Sequence, residues 1–333
     1  MKMSRISGVG RYVPERIVTN RELAQILDVE EEWIEKLTGV KQRHWITEGV
    51  KLSDMARSAA LQAIDQAGLR PQDIGLVIFS TLSSDHMFPG GGCQLQEQLD
   101  MGTAPAIDIR NVCSGFIYGL SIADQYIKTG MYQHVLLVAA ELQSTSLDLT
   151  NRGKNISILF ADGAGAAVIS ATDREEPGIL NTQIYAEGAH FKKLWADAPS
   201  PNDPRRLTKE LIDSERIYPY MDGRTVFKHA VTRFPEAILE SLEKAGKTVD
   251  DLKLIIPHQA NLRITEMTVR KLKIEKEKAY SNIEYYGNTT SASIPIALSE
   301  AHEKGLIREN DLVCLVAFGA GFAWGSALIR WQD

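Results

Sequence analysis

Apolar residues along this chain follow two rhythms. Short unbroken runs, Leu76-Val-Ile-Phe-Ser80, His134-Val-Leu-Leu-Val138, Leu254-Ile-Ile-Pro257 and Leu312-Val-Cys-Leu-Val316, predict strands buried on both faces. Elsewhere apolar positions recur at helical spacing. That predicts helices over about Ser53–Ala67 (ending at Gly68), Val226–Ala245 (ending at Gly246) and Ala292–Glu303. Another begins at about Ser114, on Ile117, Leu120, Ile122, Ala123, Tyr126 and Ile127, and stops at Gly130. Further strands are expected at Arg5–Gly10, at Ala106–Ile109 and near Ser281–Glu284. A helix follows the capping pair Thr19-Asn20, and another spans Glu30–Leu37, which carries Trp33.

The phrase helix, glycine, acidic turn, strand occurs twice at one offset. Gly68 and Gly246, Ile74 and Leu252, Ser80 and His258, and the strands opening at His134 and Leu312 are each 178 positions apart. Cys113 before its helix corresponds roughly to Asn288 before the next. Both halves also end in a glycine turn and a strand, Gly163–Ser170 and Gly319–Ile329. The pattern predicts an α/β chain that is internally duplicated: two mixed sheets back to back with helices between and outside, five layers in the order αβαβα. The halves are set at residues 1–173 and 174–333. Residues 188–223 break the second half, with Pro199, Pro201 and Pro204 and a group of aromatics, as a cover over a pocket or a plain surface insertion.

Composition narrows the function. A hydrophobic fraction of 44% and a charged fraction of 24% are those of a soluble globular protein. A net charge of −6 argues against nucleic acid as the main partner. Cys93, Cys113 and Cys314 form an odd set without C-x-x-C spacing, which favours reduced thiols in a cytoplasmic protein and gives no metal site. Arg5, Arg11 and Glu15 leave no apolar leader core at the N-terminus. The uncharged run Leu312–Ile329 has the length of a membrane span, but its three glycines read better as two buried strands around a turn, so no membrane association is expected.

Three side chains carry candidate chemistry. Cys113 sits at a strand-to-helix junction, where unpaired helical N–H groups and the helix dipole favour a thiolate and are expected to draw its pKa down. His258, in Pro257-His-Gln-Ala-Asn261-Leu-Arg263, follows a buried strand. Asn288, in Gly287-Asn-Thr-Thr-Ser-Ala-Ser, offers an uncharged amide donor. Singly, each has a plainer reading: a small buried hydrophobe, a capped strand end and a helix N-cap.

Together with Asp162-Gly-Ala-Gly-Ala-Ala and Phe318-Gly-Ala-Gly-Phe-Ala-Trp-Gly325, these motifs resemble the β-ketoacyl-[acyl carrier protein] synthase III family of thiolase-fold condensing enzymes. The resemblance covers nearly the whole chain. It implies a decarboxylating Claisen condensation of an acyl-CoA starter with malonyl-[acyl carrier protein], in fatty acid or related secondary-metabolite synthesis. Cys113 takes the acyl group, its own N–H and that of Ala320 bind the oxyanion, and His258 and Asn288 donate to the malonyl thioester carbonyl. Phe318 forms an apolar wall. No metal or redox cofactor is implied. By the same resemblance, Trp33, Arg152 and Asn261 contact coenzyme A, although Leu37 stands where an arginine usually lies beside the adenine. Lys228, Arg263 and Arg270 dock an acidic carrier protein. The chain forms a homodimer in which Phe88 reaches the partner's acyl pocket. The Ile109-Arg-Asn-Val-Cys113 phrase is closer to variant enzymes that make quinolone signals or other secondary metabolites, and the starter group stays open. Same-fold alternatives are an acyltransferase without condensation, a thiolase, a hydroxymethylglutaryl synthase, or a non-catalytic partner subunit. A thiolase needs a second cysteine near the last glycine turn, and Phe318-Gly-Ala-Gly-Phe has none.

Overall fold

The computed structural model describes residues 2–203 and 205–333, so Pro204 of the proline-rich stretch lies outside the described residues. The four apolar runs form strands Leu76–Ser80, His134–Glu141, Leu254–Pro257 and Leu312–Gly319, every residue of them buried except His134. With no polar face to show to water, each must lie inside a sheet covered on both sides.

Two sheets result. The first runs in the order 3–12, 163–172, 134–141, 76–80, 106–109, and the second in the order 179–186, 323–330, 312–319, 254–257. Their ladders match. Strands 3–12, 163–172 and 134–141 run antiparallel in turn, as do 179–186, 323–330 and 312–319. Strands 76–80 and 254–257 run parallel to 134–141 and 312–319, two strands that open 178 positions apart. The expected strand near Ser281–Glu284 is absent: Ile283–Tyr286 is a helical turn, and the sheet's fifth position is filled only by a parallel bridge from Ala279 to Ile255. Too few consecutive apolar residues are available there to make a ladder worth its backbone entropy.

Helices Gly115–Lys128 and Ser293–Glu303 pack between the sheets, with Leu52–Gln66 outside the first sheet and Gly223–Lys244 outside the second. This is the duplicated five-layer arrangement. The main core joins both sheets through Phe116, Ile117, Leu120, Ile294, Ile296 and Leu298 of the two central helices. These helices are apolar almost all round, as burial between two sheets demands. The duplication reaches into the turns. Gly68 and Gly246 end their helices at φ 69° and 62°, and the single turns Pro71–Asp73 and Val249–Asp251 carry the same carboxylate-to-backbone closure. The run 312–329 is the antiparallel pair 312–319 and 323–330, and no helix among the described residues is long and apolar enough to cross a membrane.

The 188–223 excursion is held as a unit. Leu194–Trp195 pairs with Tyr220–Met221, and Arg216 binds both Asp197 and Asp203. It is more than a surface insertion, because Leu194 and Met221 line the central cavity described next.

Candidate functional site

A cavity of about 420 Å³ opens where the two halves meet, and Cys113, His258, Asn288 and Phe318 all line it. Residues 175 positions apart in sequence converge: Cys113 follows strand 106–109, His258 follows strand 254–257, Phe318 lies in strand 312–319, and Asn288 follows the helical turn 283–286.

Cys113 sits in a one-turn helix, Val112–Ser114, directly before helix 115–128. Val112 holds φ 45°, a strained conformation for a β-branched residue, which swings the thiol out of the strand line. Across from it runs Gly319. A methyl group there would stand 2.5 Å from Cys113 Cβ and 3.0 Å from its sulfur, so only glycine lets the second half close on the nucleophile turn. The backbone N–H groups of Ala320 and of Cys113 itself both favour the thiolate. The expected drop in thiol pKa is not what the site produces. Burial and the nearby Glu141 carboxyl push it up to about 12, and the two N–H donors offset only part of that. Desolvation outweighs the helix dipole when the thiol is this enclosed.

His258 is buried, and burial alone lowers its pKa to about 3, so the ring is neutral at ordinary pH. Its Nδ1 lies 2.6 Å from Ser293 Oγ, which already accepts the Gln259 N–H at 3.3 Å. The serine proton is therefore free to point at Nδ1, which leaves Nε2 as a protonated donor. Asn288 is fixed by its own backbone: its N–H donates to Leu159 O, its C=O accepts from Ala161, and its Oδ1 accepts from Thr290 N at 2.9 Å. Its Nδ2 makes no hydrogen bond among the described residues. Phe318 is buried between the cavity and Phe322, whose ring centroid is 4.9 Å away.

Two supporting groups escaped the sequence reading. Glu141 is fully buried without a cation. Its oxygens accept from Ser291 Oγ (2.6 Å), Ser83 Oγ (3.0 Å) and Leu82 N (3.2 Å), and burial raises its pKa to about 7 against those donors. A carboxylate closing an apolar run is a visible signal; its partner Ser291 is not. Arg43 is the other, buried behind the Asn288 loop with its guanidinium on the carbonyls of Val18 and Ile158 and on Asn20 Oδ1.

The outer candidates disperse. Asn261 lines the cavity mouth, caps the helix Leu262–Leu272 through Arg263 N, and donates to Leu37 O at 3.0 Å. Leu37 lines the same mouth. Arg152 is not set on Trp33: it binds Asp148 (2.6 Å) and Glu215 (3.0 Å) and lies over Tyr218, while Lys154 is the cation facing the Trp33 ring at 5.9 Å. The excursion supplies Glu215 and Tyr218, so it claims Arg152 for a neighbouring cavity of about 640 Å³. Lys228, Arg263 and Arg270 are exposed and enter no ion pair among the described residues. Phe88 is 82% exposed, outside this chain's own cavity.

A duplicated five-layer fold with a cysteine just before one central helix and a histidine and asparagine from the other half is the arrangement of the thiolase-fold enzymes. Residues 107–188 match the family described as 3-oxoacyl-[acyl-carrier-protein] synthase III, and residues 242–331 match its C-terminal part. The chain is 41% identical over 327 residues to the β-ketoacyl-[acyl-carrier-protein] synthase III of Caldanaerobacter subterraneus subsp. tengcongensis, covering 98% of this chain and 97% of that one. The crystal structure of 3-oxoacyl-[acyl-carrier-protein] synthase III from Aquifex aeolicus superposes with a TM-score of 0.90 at 40% identity, covering 98% of this chain and all of that one. The priming β-ketosynthase of the R1128 polyketide pathway superposes with a TM-score of 0.91 at 33% identity, over 100% and 97% of the two chains. The chain belongs to the β-ketoacyl-[acyl carrier protein] synthase III family.

Proposed function

We propose that this chain condenses an acyl starter, delivered as a coenzyme A thioester, with malonyl-[acyl carrier protein], releasing CO2 and coenzyme A and giving a β-ketoacyl-[acyl carrier protein]. The observation that carries this reading is the placement of Cys113, His258 and Asn288 on one cavity. In the first step the sulfur of Cys113 bonds to the acyl carbon, the bond to coenzyme A breaks, and the thiol proton leaves with the coenzyme A thiol. Because the thiol is neutral beforehand, its attack draws on the N–H groups of Ala320 and Cys113, which stabilise the oxyanion as it forms. In the second step His258 Nε2–H and Asn288 Nδ2–H donate to the malonyl thioester carbonyl. The carboxylate leaves as CO2, and the enolate carbon bonds to the acyl carbon. The bond from that carbon to the Cys113 sulfur breaks, and the released thiolate takes up a proton from solvent to restore the thiol. Two neutral donors suit an enolate, since neither quenches it by proton transfer. Phe318 and its aromatic neighbours disfavour the malonyl charge and so favour its departure.

The donor enters past Leu37, Asn261 and Arg263, with Trp33 and Lys154 beyond them in place of an arginine on the adenine. Lys228, Arg263 and Arg270 form the dock for an acidic carrier protein, supported by their exposure and by their lack of ion pairs among the described residues. We divide the chain at about residue 173 into a half bearing the nucleophile and a half bearing the two donors. The exposed Met87 and Phe88 and the edge position of strand 106–109 support pairing of two copies along that edge, with Phe88 entering the partner's cavity. The three free thiols fit a reducing, cytoplasmic setting. Intact-mass measurement after incubation with acyl-CoA tests the reading. The mass rises by one acyl group in the wild type and not in Cys113→Ala; an acylated Ala variant would overturn it.

A further inference from the structure

Behind the aromatic wall of the cavity, Glu187, His190 and His229 bring a carboxylate oxygen and two imidazole nitrogens within 4.8 Å of one another. We propose that these three side chains bind one divalent transition-metal ion of the zinc class, fastening the start of the 188–223 excursion to helix 223–244. Glu187 and His190 share one turn, with His190 Nε2 3.7 Å from Glu187 Oε1. Tetrahedral ligands at about 2.1 Å from zinc stand about 3.4 Å apart, so this pair needs little adjustment. His229 comes from the helix opposite, its ring centroid 4.6 Å from that of His190. The backbone holds the turn in place, since Glu187 N donates to Phe322 O at 2.8 Å. The nearest cation does not take the ligating oxygen. Arg233 binds the other one, Oε2, at 3.3 Å, and is itself held by Glu236 and the Trp324 ring. A ligating carboxylate tied from behind by a donor is a usual second layer of a metal site. Two imidazoles and one carboxylate select zinc, nickel or copper over magnesium or calcium, and they leave a fourth position for water. Both imidazoles pack on Phe322, which touches Phe318, so the bound ion would brace the cavity wall from behind. Cysteine spacing gives no hint of this site, because its ligands are not cysteines and come from two distant segments.

The test is Zn2+ binding measured by competition with a chromophoric chelator, on wild type, on the His190→Ala/His229→Ala double variant and on Glu187→Gln. Cys93, Cys113 and Cys314 are present in all three and cancel in the difference. Wild type should hold one zinc more than the double variant. Glu187→Gln, which keeps the shape of the turn, should weaken that zinc at least about 10-fold. Mg2+ should not compete. Zn2+ should also raise the Tm of the wild type and leave that of the double variant unchanged. Equal zinc uptake by wild type and both variants, or an equal Tm response, overturns the proposal.

Discussion

Cys113 and Ser291 stand 178 positions apart on the same backbone device. Each follows a non-glycine residue forced to positive φ, Val112 at 45° and Thr290 at 52°, and each leads through one tight turn into a helix between the sheets. The surroundings are crossed. Cys113 faces Gly319 at the end of a strand of the second half, whereas Ser291 donates to Glu141 at the end of the matching strand of the first half. Gly319 and Glu141 are themselves 178 apart, as are Ser80 and His258, and Gly115 and Ser293. In one half Ser80 packs on Gly115; in the other His258 is oriented by Ser293. The same scaffold thus makes a roomy nucleophile turn on one side and a filled, hydrogen-bonded turn on the other. The exact offset also corrects the correspondence of Cys113 with Asn288: the partner of the cysteine is Ser291, three residues on.

The hardest way to break this comparison is to exchange the two turn residues. Cys113→Ser combined with Ser291→Cys should abolish self-acylation measured by intact mass, because Glu141 occupies the space that an acyl group would need. An adduct on the new thiol would show the turns to be interchangeable. Next in size, His258→Ala and Asn288→Ala should each lower malonyl decarboxylation about 100- to 1,000-fold, read as CO2 release, and leave self-acylation intact. Loss of acylation with retained decarboxylation would reverse the assigned roles. Gly319→Ala should slow acylation about 100-fold without unfolding the protein, since the added methyl displaces the sulfur by about an ångström. An unchanged rate would mean the turn yields freely. Ser293→Ala removes the partner that fixes the imidazole tautomer, and about a 10-fold loss in decarboxylation is expected, with the acylation rate unmoved.

The smallest effect concerns Glu141. Its carboxyl is neutral below pH about 7 and charged above, where it holds the thiol up. Glu141→Gln should therefore match the wild-type rate of Cys113 alkylation by iodoacetamide below pH 7 and exceed it several-fold above. A constant ratio across pH would place the effect in packing instead of charge. Stability follows the same group. A carboxyl whose pKa rises on folding binds more protons in the folded state, so its contribution falls as pH climbs from about 4.5 through about 7. The Gln variant should lack that decline in urea unfolding.

The strands, the two-fold repetition, the layered α/β class and the three cavity residues were legible in the sequence. Apolar runs fix which segments must be buried on both faces, and a constant offset betrays a repeated unit without any contact being known. The strand near Ser281–Glu284 was not: where the apolar run is short, the helical turn 283–286 wins, and only Ala279 reaches the sheet. Electrostatics lay further out of reach. The helix start of Cys113 is visible in sequence, yet the direction of its pKa depends on enclosure and on Glu141, 28 residues away, and neither is a property of local sequence. The partner of Arg152 was likewise decided by the fold, since Glu215 and Tyr218 arrive from an excursion whose course no periodicity encodes. Periodicity determines what is buried. Only the tertiary structure decides what each buried or half-buried charge faces, because desolvation and pairing arise from neighbours that the chain brings from afar.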